Sequence, residues 1–215
     1  MQTLLLGRHG ATSWNESGYC QGRRDVPLSA VGRRQAAALR GAIGPSAPDR
    51  VYASPLARAI ETARIACGSE PVPLPDLAEI DRGHWEGHEV AEIRRRWGRL
   101  HASWYDDPAG LAMPGGERFD DLWARAGKVL DLFAALLAEL SASATEGAAA
   151  TLFACGHKAI NRALIARALG RPTRGVWQIP QPQACLTVLV REGDGWRAER
   201  IADVAHLSPD LRSDS

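Results

Sequence analysis

The chain has 215 residues, of which 45% are hydrophobic and 24% are charged, and its formal net charge is +1. This composition is ordinary for a globular protein, and the length allows one α/β domain with a full hydrophobic core. The nearly neutral balance excludes a global basic field of the kind that attracts nucleic acid or membrane surfaces, so any anion site must be local.

Apolar patterning predicts strands and helices in alternation along the chain. The predicted strands are residues 3–6, 50–53, 152–155, 186–191 and 196–202, and the proline-containing segment 72–77 is predicted to be extended. The predicted helices are residues 32–43, 56–66, 89–105, 120–140 and 157–169, and the small-residue segment 141–150 is predicted to be a loop. Such alternation implies a mostly parallel sheet covered on both faces, a three-layer α/β/α fold in a single domain.

Charged side chains follow three of the predicted strands. Arg8 and His9 come after the first, Arg58 lies shortly after the second, and His157 and Lys158 come after the third. Ligands of open α/β sheets bind beyond the carboxyl ends of the strands, and parallel strands bring those ends to one edge. We therefore expect two imidazoles and two guanidiniums to converge on one pocket.

That combination of side chains is suited to phosphoryl transfer. An arginine fork matches phosphate oxygens in bidentate geometry, and an imidazole is a competent nucleophile near neutral pH. The helix after Gly156 is expected to point free backbone N–H groups and the positive end of its dipole at the same place. Each residue alone has a structural interpretation, so the prediction depends on their joint placement.

At these positions the chain resembles the histidine phosphatase superfamily, the phosphoglycerate mutase-like proteins. Five ordered blocks between residue 4 and about residue 165 carry the resemblance, and together they are specific although RHG alone is weak. The blocks are LLGRHGATSWN at 5–15, QG at 21–22, SPLARA at 54–59, LAEID at 77–81 with WEG at 85–87, and PGGE at 114–117 with GH at 156–157.

The resemblance implies a role for each matching residue. His9 would be the nucleophile that becomes phosphohistidine, while Arg8, Arg58 and His157 would hold the phosphoryl oxygens. Glu79 would protonate the leaving oxygen as a general acid and then activate water as a general base. The nearby carboxylates that remain alternatives for this role are those of Asp81 and Glu86.

Four further residues are candidates for substrate binding. The resemblance implies a hydrogen bond from Asn15 to phosphate and an approach of Gln21 and Gly22 through a mobile first loop. Lys158 stands where glycine is common in the family, so its backbone N–H can face phosphate while its side chain either adds charge or points away. Other basic groups that can meet a second anionic group on the substrate are Arg23, Arg24 and Arg82.

The predicted organisation is a histidine phosphatase domain over residues 1–207, with a capping insertion at about 83–117 and a loose tail at 208–215. We expect no cofactor and no metal ion, and His84 and His88 do not follow the HExxH order of zinc proteases. The triplet 94–96 of arginines is predicted to be a solvated helix face. The expected partner is a small phosphorylated metabolite, without nucleic acid or membrane, in a cytoplasmic monomer or homodimer with reduced cysteines.

The favoured prediction is a phosphomonoester hydrolase, and three alternatives remain. A cofactor-dependent phosphoglycerate mutase is expected to carry an arginine pair soon after a tryptophan in the capping segment, whereas Trp104 is followed here by Tyr105 and two aspartates. A phosphatase of protein phosphohistidine or phosphotyrosine needs an open groove. A non-catalytic binding module of the same fold predicts loss of a catalytic residue, and all of those positions are filled.

Overall fold

The computed structural model describes residues 1–44, 47–144 and 149–212 of the chain. Within these residues the strands form one 6-stranded sheet in the order β3-β2-β4-β1-β5-β6. The strands are β1 (Gln2–Arg8), β2 (Arg50–Ala53), β3 (Val72–Pro73), β4 (Ala150–Gly156), β5 (Leu186–Glu192) and β6 (Gly195–Asp203). Strands β3, β2, β4 and β1 pair in parallel, while β5 runs antiparallel to both of its neighbours, so the predicted mostly parallel sheet is confirmed.

Side chains alternate between the two faces of the sheet along each strand, so each face has its own set of buried apolar groups. Leu4 and Leu6 of β1 belong to one buried cluster and Leu5 belongs to the cluster on the opposite face. The first cluster also contains residues of the long helix Phe119–Ser143, and the second contains residues of helices Ala30–Ile43 and Ala57–Cys67. The run of three leucines is therefore a strand buried on both sides, and the predicted three-layer α/β/α arrangement is confirmed.

The predicted helices lie close to the observed ones, with one exception, and the short helix Ser13–Glu16 was not predicted. Their bounds are α1 (Ser13–Glu16), α2 (Ala30–Ile43), α3 (Ala57–Cys67), α4 (Val90–Arg96), α5 (Gly98–Asp106), α6 (Phe119–Ser143) and α7 (Lys158–Ala168). The single helix predicted over 89–105 is wrong, because Trp97 leaves the helical region at φ −123° and ψ 33° and Gly98, a weak helix former, follows it. No helix in the described ranges is both long and apolar enough to cross a membrane.

Two predicted irregular segments are more ordered than expected. Only Val72–Pro73 of the segment 72–77 is a strand, and a 3-10 turn follows at Pro75–Leu77, where proline at the first helical position costs no hydrogen bond. Residues 208–212 differ from the expected loose tail, because Pro209–Leu211 forms another 3-10 turn and the carbonyl of Leu211 accepts from Gln35 Nε2 at 2.7 Å. The rest of that tail, 213–215, and residues 145–148 of the predicted loop 141–150 lie outside the described residues.

Close contact between backbones fixes the loop after β1 against the start of α2. A Cβ atom on Gly32 would lie 2.0 Å from the carbonyl oxygen of Ala11, and one on Gly10 would lie 2.3 Å from the carbonyl oxygen of Gly32. The backbone N–H of Ala11 also donates to Gln35 Oε1 at 2.7 Å. Because the opposing atoms are backbone rather than flexible side-chain ends, only glycine permits this approach.

We predict that Gly32→Ala destabilises the protein and displaces the loop that carries His9. The expected loss in the free energy of unfolding is about 1–3 kcal/mol, typical of a substitution that overpacks a tight contact, and urea denaturation measures it. Gly41→Ala is the matched control in the same helix, since nothing lies within 4 Å of its added Cβ. That control is expected to raise the free energy of unfolding by about 0.5–1 kcal/mol, because alanine has a higher helix propensity than glycine. Equal effects of the two substitutions would contradict the packing argument.

Candidate active site

A pocket of about 350 Å³ opens where β1, β2 and β4 end. Most of the predicted site residues line it, namely Arg8, His9, Asn15, Gln21, Arg58, Glu79 and Lys158. His157 lies immediately behind this lining, in ring contact with His9. Gly22 does not line the pocket. Its backbone instead forms hydrogen bonds with Arg58 and Glu86 behind the lining.

Strand register brings the two histidines together. Arg8, the last residue of β1, pairs with Gly156, the last residue of β4, so His9 and His157 are the next residues on adjacent parallel strands. The backbone N–H of His9 donates to the carbonyl of Gly156 at 3.2 Å, and the two ring centroids are 4.9 Å apart. Both imidazoles are buried.

One hydrogen bond fixes the tautomer of His9. Its Nδ1 lies 2.6 Å from the carbonyl oxygen of Gly10, which can only accept, so Nδ1 carries the proton and Nε2 has the free lone pair. Burial, together with the charges of Arg58 and Arg8, holds the pKa of His9 well below its usual range. The ring is therefore a neutral imidazole at neutral pH, with an unprotonated nitrogen available as a nucleophile.

The tautomer of His157 is the opposite one. Arg58 Nε donates to His157 Nδ1 at 3.2 Å, and an arginine nitrogen has no acceptor capacity, so Nδ1 is unprotonated. The proton of the neutral ring lies on Nε2 and is donated to Ser54 Oγ at 2.7 Å. Burial and the charge of Arg58 hold the pKa of His157 well below its usual range.

Arg58 also holds the first loop in place. Its Nη1 donates to the carbonyl of Arg24 at 2.9 Å and its Nη2 donates to the carbonyl of Gly22 at 2.7 Å. The same loop is fixed from the other side by Glu86, whose Oε1 accepts from the backbone N–H of Gly22 at 2.8 Å and of Arg24 at 2.7 Å. Gly22 thus positions Arg58, and Glu86 has a structural contact that separates it from the role of general acid.

Arg8 is buried at the base of the pocket. Its Nη1 donates to the carbonyl of Gln181, and its Nε has no hydrogen-bond partner among the described residues. Burial lowers the pKa of Arg8 to about 10, so the guanidinium remains charged at neutral pH. A buried cation with an unused donor beside the His9 ring is suited to an anionic ligand.

The Glu79 carboxyl group occupies the helix end that was expected to be free for phosphate. Its two oxygens accept from the backbone N–H of Ala159 at 3.2 and 3.1 Å, and Oε1 also accepts from the backbone N–H of Ile80 at 2.8 Å. The expectation of free N–H groups at the start of α7 is wrong at this position, because the oxygens of a carboxyl group are themselves acceptors for the N–H groups of a helix N-terminus. The helix thereby holds Glu79 in the lining of the pocket.

Sequence reasoning missed Arg125, which positions the segment that carries Glu79. Its guanidinium forms a buried ion pair with Glu117 at 2.8 Å and donates to the carbonyls of Asp76 at 2.7 Å and Ala78 at 2.6 Å. Glu117, the acid of the Pro-Gly-Gly-Glu block, also accepts from the backbone N–H of Asp81 at 3.1 Å. The sequence signal that could have identified Arg125 was its position as a lone arginine on the apolar, buried face of α6.

Local hydrogen bonds orient Asn15 and Gln21 within the lining. The backbone N–H of Thr12 donates to Asn15 Oδ1 at 3.1 Å, and Thr12 Oγ1 donates to Gln21 Oε1 at 2.9 Å. With both amide oxygens engaged, the amide nitrogens are the groups left to donate to a ligand. Gln21 Nε2 is buried without a hydrogen-bond partner in the described part of the chain.

The remaining basic candidates separate into two groups. Arg82 lines the pocket, whereas Arg23 is bound to Glu117 at 3.2 Å and Arg24 lies over the ring of Trp14. The arginines of the triplet 94–96 are exposed on α4, as the prediction of a solvated helix face requires. Arg82 is therefore the basic side chain of this set that can meet a substrate.

Comparison with known proteins gives matches over nearly the whole chain. The family model of the histidine phosphatase superfamily (branch 1) matches residues 4–204. A probable 2-carboxy-D-arabinitol-1-phosphatase of Arabidopsis thaliana is 31% identical over 190 residues, which are 86% of this chain but only 37% of that protein. An adenosylcobalamin/alpha-ribazole phosphatase of Salmonella typhimurium is 28% identical over 189 residues, 86% of this chain and 89% of that protein.

Relatives of other activity and solved structures extend these matches. A probable phosphoglycerate mutase of Yersinia enterocolitica is 32% identical over 134 residues, 61% of this chain and 62% of that protein. The structure of a mycobacterial glucosyl-3-phosphoglycerate phosphatase in complex with VO3 has a TM-score of 0.79 and 28% identity, and the similarity covers 95% of this chain and 100% of that one. With the family model matched from residue 4 to residue 204 and the whole fold shared, this chain belongs to the histidine phosphatase superfamily, branch 1.

Proposed function

We propose that the protein is a metal-independent phosphatase that transfers phosphate from a small phosphorylated metabolite to His9 and then to water. The observation that carries the proposal is the unprotonated Nε2 of His9, which lies in a pocket with two buried arginines and the Glu79 carboxyl. The names of the relatives agree with this activity, since most are phosphatases.

The first step forms a phosphohistidine. Nε2 of His9 attacks phosphorus, the bond from phosphorus to the ester oxygen breaks, and Glu79 gives its proton to the departing alcohol oxygen. Arg8 and Arg58 stabilise the charge that spreads over the three remaining phosphoryl oxygens. His157, which is hydrogen-bonded to Arg58, completes the group around that anion.

The second step returns the enzyme to its starting state. Glu79 is now a carboxylate and accepts a proton from a water molecule that attacks phosphorus from the side the alcohol has left. The bond from phosphorus to Nε2 breaks, and inorganic phosphate leaves with the original tautomer of His9 restored. Every group in the cycle belongs to the chain or the substrate, so the scheme needs no cofactor.

A non-catalytic binding module of this fold is the weakest alternative, because all five predicted catalytic residues are present and buried around one site. A phosphatase of protein phosphohistidine or phosphotyrosine is disfavoured by the size of the pocket, about 350 Å³. Its lining includes the exposed side chains of Tyr19, Val90 and Tyr105, of which the last two belong to the predicted capping segment 83–117. Hydrolysis of phosphopeptides without hydrolysis of small esters would instead favour that alternative.

We predict that His9→Ala abolishes hydrolysis of p-nitrophenyl phosphate, because no other imidazole nitrogen has a free lone pair in the pocket lining. The exposed His84 lies outside that lining, so His84→Ala is the matched control and retains activity. Wild-type protein quenched during turnover is expected to contain an acid-labile, base-stable phosphoenzyme. Each rate is measured with and without EDTA, and loss of the wild-type rate in EDTA would contradict metal independence.

We predict that Glu79→Gln slows turnover by roughly 10²–10⁴-fold, because the amide can neither protonate the alcohol nor activate water. Alkyl phosphates, whose alkoxides leave poorly, should be affected more than p-nitrophenyl phosphate. Asp81→Asn is the comparison variant, since that carboxylate accepts from the backbone N–H of Gly83 instead of lining the pocket. An equal loss for all leaving groups would assign the general acid to another residue.

We predict that the protein hydrolyses phosphoglycerate faster than it isomerises it, even with 2,3-bisphosphoglycerate present. The basis is the segment after Trp104, which lacks the arginine pair expected of a mutase: Tyr105 lines the pocket and Asp106 is paired with Arg174 at 2.9 Å. Coupled assays that follow released phosphate and isomerised product in the same sample measure the ratio. Isomerisation that exceeds hydrolysis would make the protein a mutase.

A further inference from the structure

Two basic residues line the pocket in addition to the pair assigned to the phosphoryl group. Arg82 follows the segment that carries Glu79, and Lys158 is the first residue of α7. Arg162 lies one helical turn after Lys158, so the two side chains are neighbours on the same face of α7. We refer to Arg82 and Lys158 together as the cationic wall.

The buried guanidinium of Arg82 lacks the partners that a structural arginine normally has. Only 8% of Arg82 is exposed, and its Nε has no hydrogen-bond partner in the described part of the chain. Within residues 1–44, 47–144 and 149–212, no carboxylate forms an ion pair with Arg82 or Lys158. By contrast, Arg125 is 9% exposed and gives its donors to Glu117 and two backbone carbonyls.

Lys158 shows the electrostatic consequence of this arrangement. Its pKa is lowered to about 8 by burial and by the positive charges of Arg8, Arg162 and Arg82. Burial and the charge of Arg8 likewise lower the pKa of Arg162 to about 10. Although burial opposes its charge, the pKa of Arg82 is raised by the nearby groups of Cys20, Tyr105, Glu79 and Glu86, so this guanidinium stays charged. Buried cations that have no direct ion pair are costly unless an anion binds beside them.

The phosphoryl group alone leaves this charge unbalanced. A phosphate monoester brings two negative charges, which Arg8 and Arg58 match. The cationic wall remains, in a pocket whose 350 Å³ holds a small metabolite with more than one functional group. With Arg8 and Arg58 assigned to the phosphoryl group, Arg82 and Lys158 remain in the lining to meet a different part of the same substrate.

Given the proposed phosphatase function, we propose that the substrate carries a second anionic group, a carboxylate or another phosphate, which binds Arg82 and Lys158. The protein thus selects small phosphorylated acids or bisphosphates over neutral phosphate esters. Guanidinium and ammonium donors recognise both kinds of anion through charge-assisted hydrogen bonds.

Three esters with the same three-carbon chain test this selectivity. They are 3-(phosphonooxy)propanoate, propane-1,3-diyl bisphosphate and propyl phosphate, of which the last lacks the second anionic group. Wild-type protein is expected to have a kcat/KM at least about tenfold higher for one of the first two than for propyl phosphate. The better of those two identifies the second group as a carboxylate or a phosphate.

The variants Arg82→Met and Lys158→Met remove one cation each while keeping an unbranched side chain. Each is expected to lower the selectivity ratio, kcat/KM for the preferred ester over that for propyl phosphate, by about ten- to a hundredfold. Arg94→Met is the matched control, because Arg94 is exposed on α4 and its loss should leave the ratio unchanged. Thermal melting shows whether each variant folds. If Arg82→Met does not fold, the selectivity ratios of Lys158→Met and of the wild-type protein decide whether the second-anion site exists.

The outcomes separate this inference from the function on which it rests. A wild-type ratio near one, or a ratio that both folded variants retain, overturns the second-anion site while phosphate release from propyl phosphate preserves the phosphatase proposal. If wild-type protein releases phosphate neither from any of the three esters nor from p-nitrophenyl phosphate, the proposed function itself fails. A ratio that also falls in Arg94→Met would indicate general attraction by net charge and would likewise contradict a specific site.

Discussion

The pairing register of β1 with β4 is the constraint on which the site depends. Arg8 lies opposite Gly156, so the residue that follows each strand is a histidine, and the ring centroids are 4.9 Å apart. A shift by one residue would turn every side chain of β1 to the other face of the sheet and separate the two rings. The leucines that alternate between two buried clusters make such a shift costly, so the hydrophobic core maintains the geometry of the polar site.

Burial gives the site its electrostatic character. The arginines at positions 8 and 58 are held in place by backbone carbonyls rather than by carboxylates, so their charge is not cancelled by a fixed partner. Burial, together with that charge, lowers the pKa of both histidines and keeps the rings neutral. Under the proposed function, an arriving phosphate dianion would meet donors that are already oriented, an arrangement that stabilises a phosphoryl transition state with little reorganisation.

The parts of the molecule that the sequence predicts are those that depend on local pattern. The alternation of apolar runs with polar strand ends was enough to expect His9, Arg58 and His157 at one edge of the sheet. Contacts between distant segments were not predictable in this way, since no spacing rule shows that Glu79 meets the start of α7 or that Arg125 pairs with Glu117. The helix break at Trp97 was missed for a different reason, because the charge and apolar pattern continues across it.

The pocket combines residues from two structural sources, and this division has a physical consequence. Four of the groups assigned to phosphoryl transfer follow strands of the parallel sheet, namely Arg8, His9, Arg58 and His157. Glu79 and Arg82 instead lie in the segment after the 3-10 turn Pro75–Leu77, and Tyr105 belongs to helix α5. Ion pairing of Glu117 with Arg125 links the end of the predicted capping segment to α6. Glu86 of the same segment holds the loop whose carbonyls accept from Arg58, so this segment also contacts the phosphoryl-transfer residues. Under the proposed function, we therefore expect a substitution of Tyr105 to change which alcohol is accepted, whereas a substitution of Glu86 would also disturb the loop that contacts Arg58.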